Sequence, residues 1–241
     1  MKPRMLAILA LFFACSAPRP IDPDIWRPAS GEESSDKIPG PLKNFGPFDS
    51  SGKALEAACP LILSKPNASA VHLLGADRRL ATRLSTEYCA WLYYTPDHQY
   101  ELSLLTDRAS PGDDLSGETS CTLPPNVDDP RYPPSSLQYI YCIHNHPFSG
   151  EITRNDIYFA AAMANAHGLA AKTQGRQIPL AVIAFISNSP DPSNPTCDGF
   201  YQYIPATREL MKWTHSSGAW RKDRYATVIW TSPTDFIIQR K

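Results

Sequence analysis

Proline constrains this chain more than any other residue. It occupies 24 of 241 positions, about twice its usual frequency of about 5%. Each proline lacks the backbone N–H that a helix interior or a central strand needs, so it settles at turns, edges and helix starts. That excess rules out a long coiled coil or helical bundle and points to short strands joined by many turns. A folded core is still affordable in composition: hydrophobic residues make up 42% and aromatics 10%, too apolar for wholesale disorder. The 23 basic and 24 acidic residues leave a net charge of −1. Such a balance lacks the electropositive surface that grips a nucleic-acid backbone, so no nucleic-acid partner is expected.

Residues 1–15 read as an address. Lys2 and Arg4 precede an apolar run at 5–14 (MLAILALFFA). The run is too short for a bilayer-spanning helix, which takes about 20 residues, but it suits the apolar region of a secretory signal. Cys15 follows Phe12-Phe13-Ala14. This resembles a bacterial lipoprotein signal, with Phe12 standing where such signals usually carry Leu. The resemblance implies lipidation at Cys15 and a protein anchored to a membrane of the bacterial cell envelope. Ordinary secretion, cut near Ala17, is the alternative; both take the chain out of the cytoplasm. Residues 16–52 hold seven prolines and no apolar period, the composition of an extended tether. Trp26, Phe45 and Phe48 are too sparse to build a core there. Residues 53–241 are then the globular part, a comfortable single domain.

Within that part, 53–63 (KALEAACPLIL) reads as a helix interrupted by Pro60. Residues 87–94 and 100–105 are strand-like runs around the turn residues Thr95-Pro96-Asp97, a hairpin signal. Residues 108–136 read as a long loop, and 137–143 (LQYIYCI) as another strand. Thr153 can cap a helix over 154–167, with Gly168 as its stop. Residues 178–187 are nearly continuous apolar, as in a central strand buried on both faces. Residues 200–204, 209–214 and 225–230 suggest a closing antiparallel meander. The order of elements predicts an α+β fold, a mixed α/β sandwich.

The chemistry concentrates in one stretch, His144-Asn145-His146-Pro147 through Thr153-Arg154-Asn155-Asp156. Side chains alternate along a strand, so His144 and His146 project to one side. Asp156 falls in the first turn of the following helix, and Gly150 lets the loop fold that helix start back over the histidines. Two neutral imidazoles and a carboxylate can hold zinc and leave a fourth position open for water, which is the arrangement of a catalytic site. Peptide hydrolysis also needs a group that carries a proton to the leaving amine. Glu87, a lone carboxylate at the head of an apolar strand, is the candidate.

These residues together resemble the JAB/MPN (JAMM) metalloprotease superfamily. Its signature is a Glu in an early strand, then His-x-His-Pro, then Ser-x-x-Asp opening a helix. Glu87, His144-Asn145-His146-Pro147 and Thr153-Arg154-Asn155-Asp156 match in that order. Thr153 replaces the usual Ser, and five residues rather than six separate it from Pro147. The resemblance implies a central β-sheet flanked by helices, zinc on His144, His146 and Asp156, and Glu87 as general acid/base. It also implies Thr153 as a donor to the oxyanion of the tetrahedral intermediate. The function it implies is an exported zinc-dependent peptidase or isopeptidase that uses a metal-activated water on a peptide or protein substrate.

Two other readings stand beside it: a non-catalytic JAB-like binding module of the envelope, and an HNH-type nuclease suggested by His-Asn-His. The nuclease reading lacks basic flanks. After Cys15 five cysteines remain, Cys59, Cys89, Cys121, Cys142 and Cys197. Export implies that some are bridged, the odd count leaves one free, and their pairing stays open. Cys142 shares strand parity with His144, so Cys142-x-His144-x-His146 is a second conceivable ligand set. The remaining histidines, His72, His98, His167 and His215, show no ligand spacing.

Overall fold

The computed structural model describes residues 22–29, 35–70, 73, 75, 77–109, 119–148, 150–216 and 219–241. Cys15, the signal segment expected ahead of it and His72 lie outside the described residues. Among the described residues the first elements are strand β1 (Lys37–Pro39) and helix α1 (Ser51–Leu63), the latter capped by the Ser50 side chain accepting from the Lys53 N–H. Pro60 lies inside α1 without ending it. Helix α2 (Arg78–Arg83) leads to the hairpin of β2 (Cys89–Tyr94) and β3 (Tyr100–Leu102). Next come β4 (Asn126–Asp128), β5 (Gln138–Asn145) and helix α3 (Arg154–His167). A small hairpin, β6 (Ala170–Thr173) and β7 (Arg176–Pro179), precedes β8 (Ala181–Ile186). The chain closes with β9 (Gly199–Ile204), β10 (Glu209–Ser216), β11 (Ala219–Ser232) and β12 (Asp235–Arg240).

Eight strands form one mixed sheet in the order β12-β11-β10-β9-β8-β5-β2-β3. Within it β5 and β8 pair in parallel and the other neighbours are antiparallel. A parallel pair needs a crossover, and here α3 and the β6–β7 hairpin supply it. The centre of the sheet is covered on both faces. Ala54, Ala58 and Ile62 of α1, spaced to share one helix face, pack with Ile143, Ile183 and Phe185. On the opposite face Ile157, Ala160 and Ala164 of α3 pack with Cys142, Val182 and Ala184. This is a mixed α and β architecture dominated by strand, broadly in keeping with the α+β class that the order of elements predicted. Among the described residues no helix is long and apolar enough to cross a membrane.

Helix α3 starts and stops where its caps predicted, with Gly168 at φ 91°, a conformation that disfavours side chains. The run at 178–187 resolves into two strands. Pro179 has no N–H for a ladder and ends β7 at the small hairpin, while β8 goes to the centre of the sheet.

The tether expected at 16–52 is corrected over its described residues. Ile25, Ile38, Leu42 and Phe45 are buried. β1 pairs in parallel with β4, so the long loop expected at 108–136 contributes a strand of its own. Lys65 holds Asp22 and Asp24 at 2.9 and 2.6 Å. The folded body therefore begins upstream of residue 53. Ile38→Ala should then cost about 2–5 kcal/mol, the usual range for emptying a buried aliphatic site. Denaturant unfolding would measure it; a loss within about 0.5 kcal/mol, the scale of a surface change, would restore the tether.

Candidate metal centre

The centre forms at the carboxyl end of β5, where the chain leaves a parallel strand and enters α3; open α/β sheets place ligand sites at such strand ends. His144 lies opposite Ala184 of β8 and Cys89 of β2. His146 extends the ladder by one step, its N–H donating to the Phe185 carbonyl at 2.9 Å. Strand alternation thus turns both imidazoles to the α3 face and Asn145 to the other. The start of α3 lies back over them, so that Asp156 Oδ1 lies 3.4 Å from His144 Nε2 and Asp156 Oδ2 3.4 Å from His146 Nε2. One ligand atom from each residue falls within 4.8 Å of the others.

Hydrogen bonds aim these groups. The Gly150 carbonyl lies 2.8 Å from His146 Nδ1. A carbonyl only accepts, so Nδ1 carries a proton and Nε2 presents its electron pair once the ring is neutral. The Asp156 carboxylate accepts from the Thr153 N–H at 2.7 Å and the Thr153 hydroxyl at 2.8 Å, while the Thr153 hydroxyl accepts from the Asp156 N–H at 3.2 Å. This capping box fixes Asp156 in the first turn of α3, where the helix dipole favours an anion.

The electrostatics fit a cation. His144 Nε2 and His146 Nε2 are 2.9 Å apart, a separation at which two lone pairs repel unless a proton or a metal lies between them. Burial foremost drives the His144 pKa down to about 4. Burial also opposes charge on His146, but the hydrogen bond and charge of Asp156, with Glu87 adding, hold its pKa up at about 9. Burial would raise Asp156, yet His144 and His146 hold it well below the usual carboxylate range. Near neutral pH the metal-free cluster is a neutral His144, a protonated His146 and an ionised Asp156. The nitrogen, nitrogen and oxygen donors match zinc, with the proton in the place a metal would take.

Glu87 lies two residues ahead of β2 rather than within it, half-buried. It shares with His144 and Asp156 a cavity of about 210 Å³, walled by Leu123, Phe159, Val182 and the Cys89–Cys121 disulfide. The Thr119 hydroxyl approaches Glu87 Oε1 at 3.4 Å. A second disulfide joins Cys59 to Cys197, and among the described residues Cys142 is the free cysteine. Burial pushes the Cys142 thiol pKa well up, so it faces this cavity as an uncharged thiol. The gathered ligand group is His144, His146 and Asp156, not Cys142 with the histidines.

Thr153 has a partner of its own in the cluster. Its hydroxyl proton is given to Asp156, so the donor expected for an oxyanion is already engaged. Thr153→Ala should therefore weaken zinc binding by about 10–100-fold, as loss of a partner to a metal ligand does, and Thr153→Ser should restore it. Competition against a zinc chelator would measure both; unchanged affinity in the Ala variant would return Thr153 to the oxyanion role. Asn145, the middle of His-Asn-His, points away from the cluster into hydrogen bonds with Ala68, Thr86 and Tyr88. Sequence reasoning passed over that role, although alternation alone puts Asn145 on the opposite face. His98 meets the Tyr94 hydroxyl, His167 meets the Pro125 carbonyl and stacks on Tyr139, and His215 packs on Trp220. No protein-family model, curated protein or solved structure matches the chain.

Proposed function

We propose that this protein is an exported, zinc-dependent peptidase or isopeptidase of the JAB/MPN type, anchored to the bacterial cell envelope through Cys15. The observation that carries the reading is the meeting of His144, His146 and Asp156 at one point, with Glu87 on the wall of the same cavity. Zinc held by the three ligands would polarise a substrate carbonyl and make a water nucleophilic at neutral pH. Glu87 takes the proton from the attacking water and hands it to the leaving amine. Thr153 holds Asp156 and acts through it. The cavity beside them takes a substrate side chain next to the scissile bond, and its walls, largely uncharged, suit a neutral one. Two disulfides support export, since such bonds persist in oxidising compartments.

The engagement of the Thr153 hydroxyl favours a second reading, a JAB-like module that holds metal and binds a peptide without cleaving it. One experiment separates the two. Full-length protein is analysed for zinc and then offered a library of isopeptide-linked and cell-wall peptides. Cleavage that a chelator abolishes and zinc restores is the expected result. Stoichiometric zinc with peptide binding but no cleavage would select the module, and a chain that refuses zinc would end both readings.

A further inference from the structure

Asn145 is fully buried, and all of its hydrogen-bonding groups on the side chain are engaged. Its Oδ1 accepts from the Tyr88 N–H at 2.7 Å, and its Nδ2 donates to the Ala68 carbonyl at 2.7 Å and the Thr86 carbonyl at 2.9 Å. Thr86 and Tyr88 flank Glu87. One amide therefore grips the peptide group on either side of the candidate base. The same residue lies between His144 and His146 in the chain, so the metal ligands and the base's backbone meet in a single side chain.

The need for such a grip is local. Residues 85–88 belong to neither α2 nor β2 and have no ladder of their own. Besides Asn145, Thr86 is held by its N–H to the Asn67 carbonyl at 3.0 Å, and Tyr88 by its hydroxyl to the Pro66 carbonyl at 2.8 Å. The Ala70 N–H reaches the Pro147 carbonyl at 2.8 Å, so the segment at 66–70 joins the loop after His146 to the segment before Glu87. An Asn amide offers one acceptor and two donors in a plane, the set these three backbone groups require. Aspartate would keep the acceptor and lose both donors; serine is too short to span them.

We propose that Asn145 is a positioning residue: it sets where Glu87 stands relative to the metal ligands and takes no part in metal binding itself. The inference rests on the reading of Glu87 as the base at a metal centre. General-base catalysis needs the carboxylate within hydrogen-bond reach of the proton it takes, and a displacement of about 1 Å can cost about 10²-fold in rate.

The test uses cobalt(II) as the probe, because its visible absorption reports its coordination environment without any substrate. Full-length protein and its Glu87→Gln, Asn145→Ser, Asn145→Asp and Glu87→Gln/Asn145→Ser variants are loaded and compared, with thermal unfolding of each alongside. One cobalt per chain is expected throughout, with affinity changed by less than the about 10-fold at which loss of a ligand's own hydrogen-bond partner shows. The spectrum of Glu87→Gln should differ from wild type, both Asn145 variants should reproduce that difference, and the double variant should add nothing to it. Either Asn145 variant serves if the other fails to fold. Wild-type spectra from the Asn145 variants, or an independent further change in the double variant, would overturn the positioning role. Loss of cobalt from folded Asn145 variants would overturn it too, by making Asn145 a support of the ligands. A Glu87→Gln spectrum identical to wild type would instead remove Glu87 from the metal centre, and the proposed mechanism with it.

Discussion

Glu87→Gln is expected to keep the zinc content of the wild-type protein while peptide hydrolysis falls by about 10²-fold or more, the scale of general acid–base catalysis. The two halves of this expectation have separate physical grounds. Glu87 is not among the three ligand atoms that come within 4.8 Å of one another, so nothing in the ligand set changes. Gln has the size of Glu and keeps an oxygen that can accept from the Thr119 hydroxyl, so the segment ahead of β2 keeps its place. What Gln cannot do is take a proton. The measurement is kcat on a peptide found by the library, with zinc determined on the same sample. A Gln variant that cleaves at the wild-type rate would falsify Glu87 as the base even with zinc bound, and a variant that loses zinc would make Glu87 a support of the ligands.

The parts of this molecule that were legible in its sequence are those set by local chemistry. Thr153, Asp156 and Gly168 mark the two ends of α3 because capping acts within a few residues. The alternation that turns His144 and His146 to one face is a property of the strand itself, and the apolar run at 178–187 contains the central strand β8, although its first residues belong to β7. The rest depends on partners far away in the chain. β1 is three residues long, and its pairing partner β4 lies in a stretch rich in Pro and Asp; neither is long enough to show a period. Ile38 therefore looked like part of a tether, although it joins the cluster of Trp91, Tyr93 and Val127. The disulfides span 138 and 32 residues, and spacing alone does not choose between such pairings. The return of Asp156 over the histidines was expected from the turn at Gly150, whereas its equal approach to both imidazoles required the fold. Glu87 was legible as an unusual carboxylate, whereas its anchorage by Asn145 required the fold, because Ala68, Thr86 and Tyr88 approach from separate segments.

His146→Ala is expected to abolish stoichiometric zinc binding, and the same imidazole should govern how the wild-type site responds to pH. In the metal-free protein His146 holds its proton up to about pH 9 while His144, at about 4, is neutral. Zinc must displace that proton. Binding at pH 7.5 should therefore release about one proton per metal, and affinity should fall about tenfold for each pH unit below about 9, more steeply once His144 also protonates. Calorimetry in buffers of different ionisation enthalpy counts the proton directly. The fold carries the same linkage. A folded-state pKa raised above the ordinary 6.5 means that protonated His146 stabilises the metal-free protein fully below about pH 6.5, and that this contribution is lost as pH rises through about 9. His144 has the opposite sign: its depressed pKa withdraws stability as pH falls from about 6.5 toward 4. Chemical unfolding of metal-free protein between pH 6.5 and 9 should therefore show a decline that His146→Ala abolishes. Zinc should oppose that decline, since it binds the folded state and gains affinity over the same range. Zinc binding without proton release at pH 7.5 would mean that His146 is already neutral, and that Asp156 does not hold the charge on it.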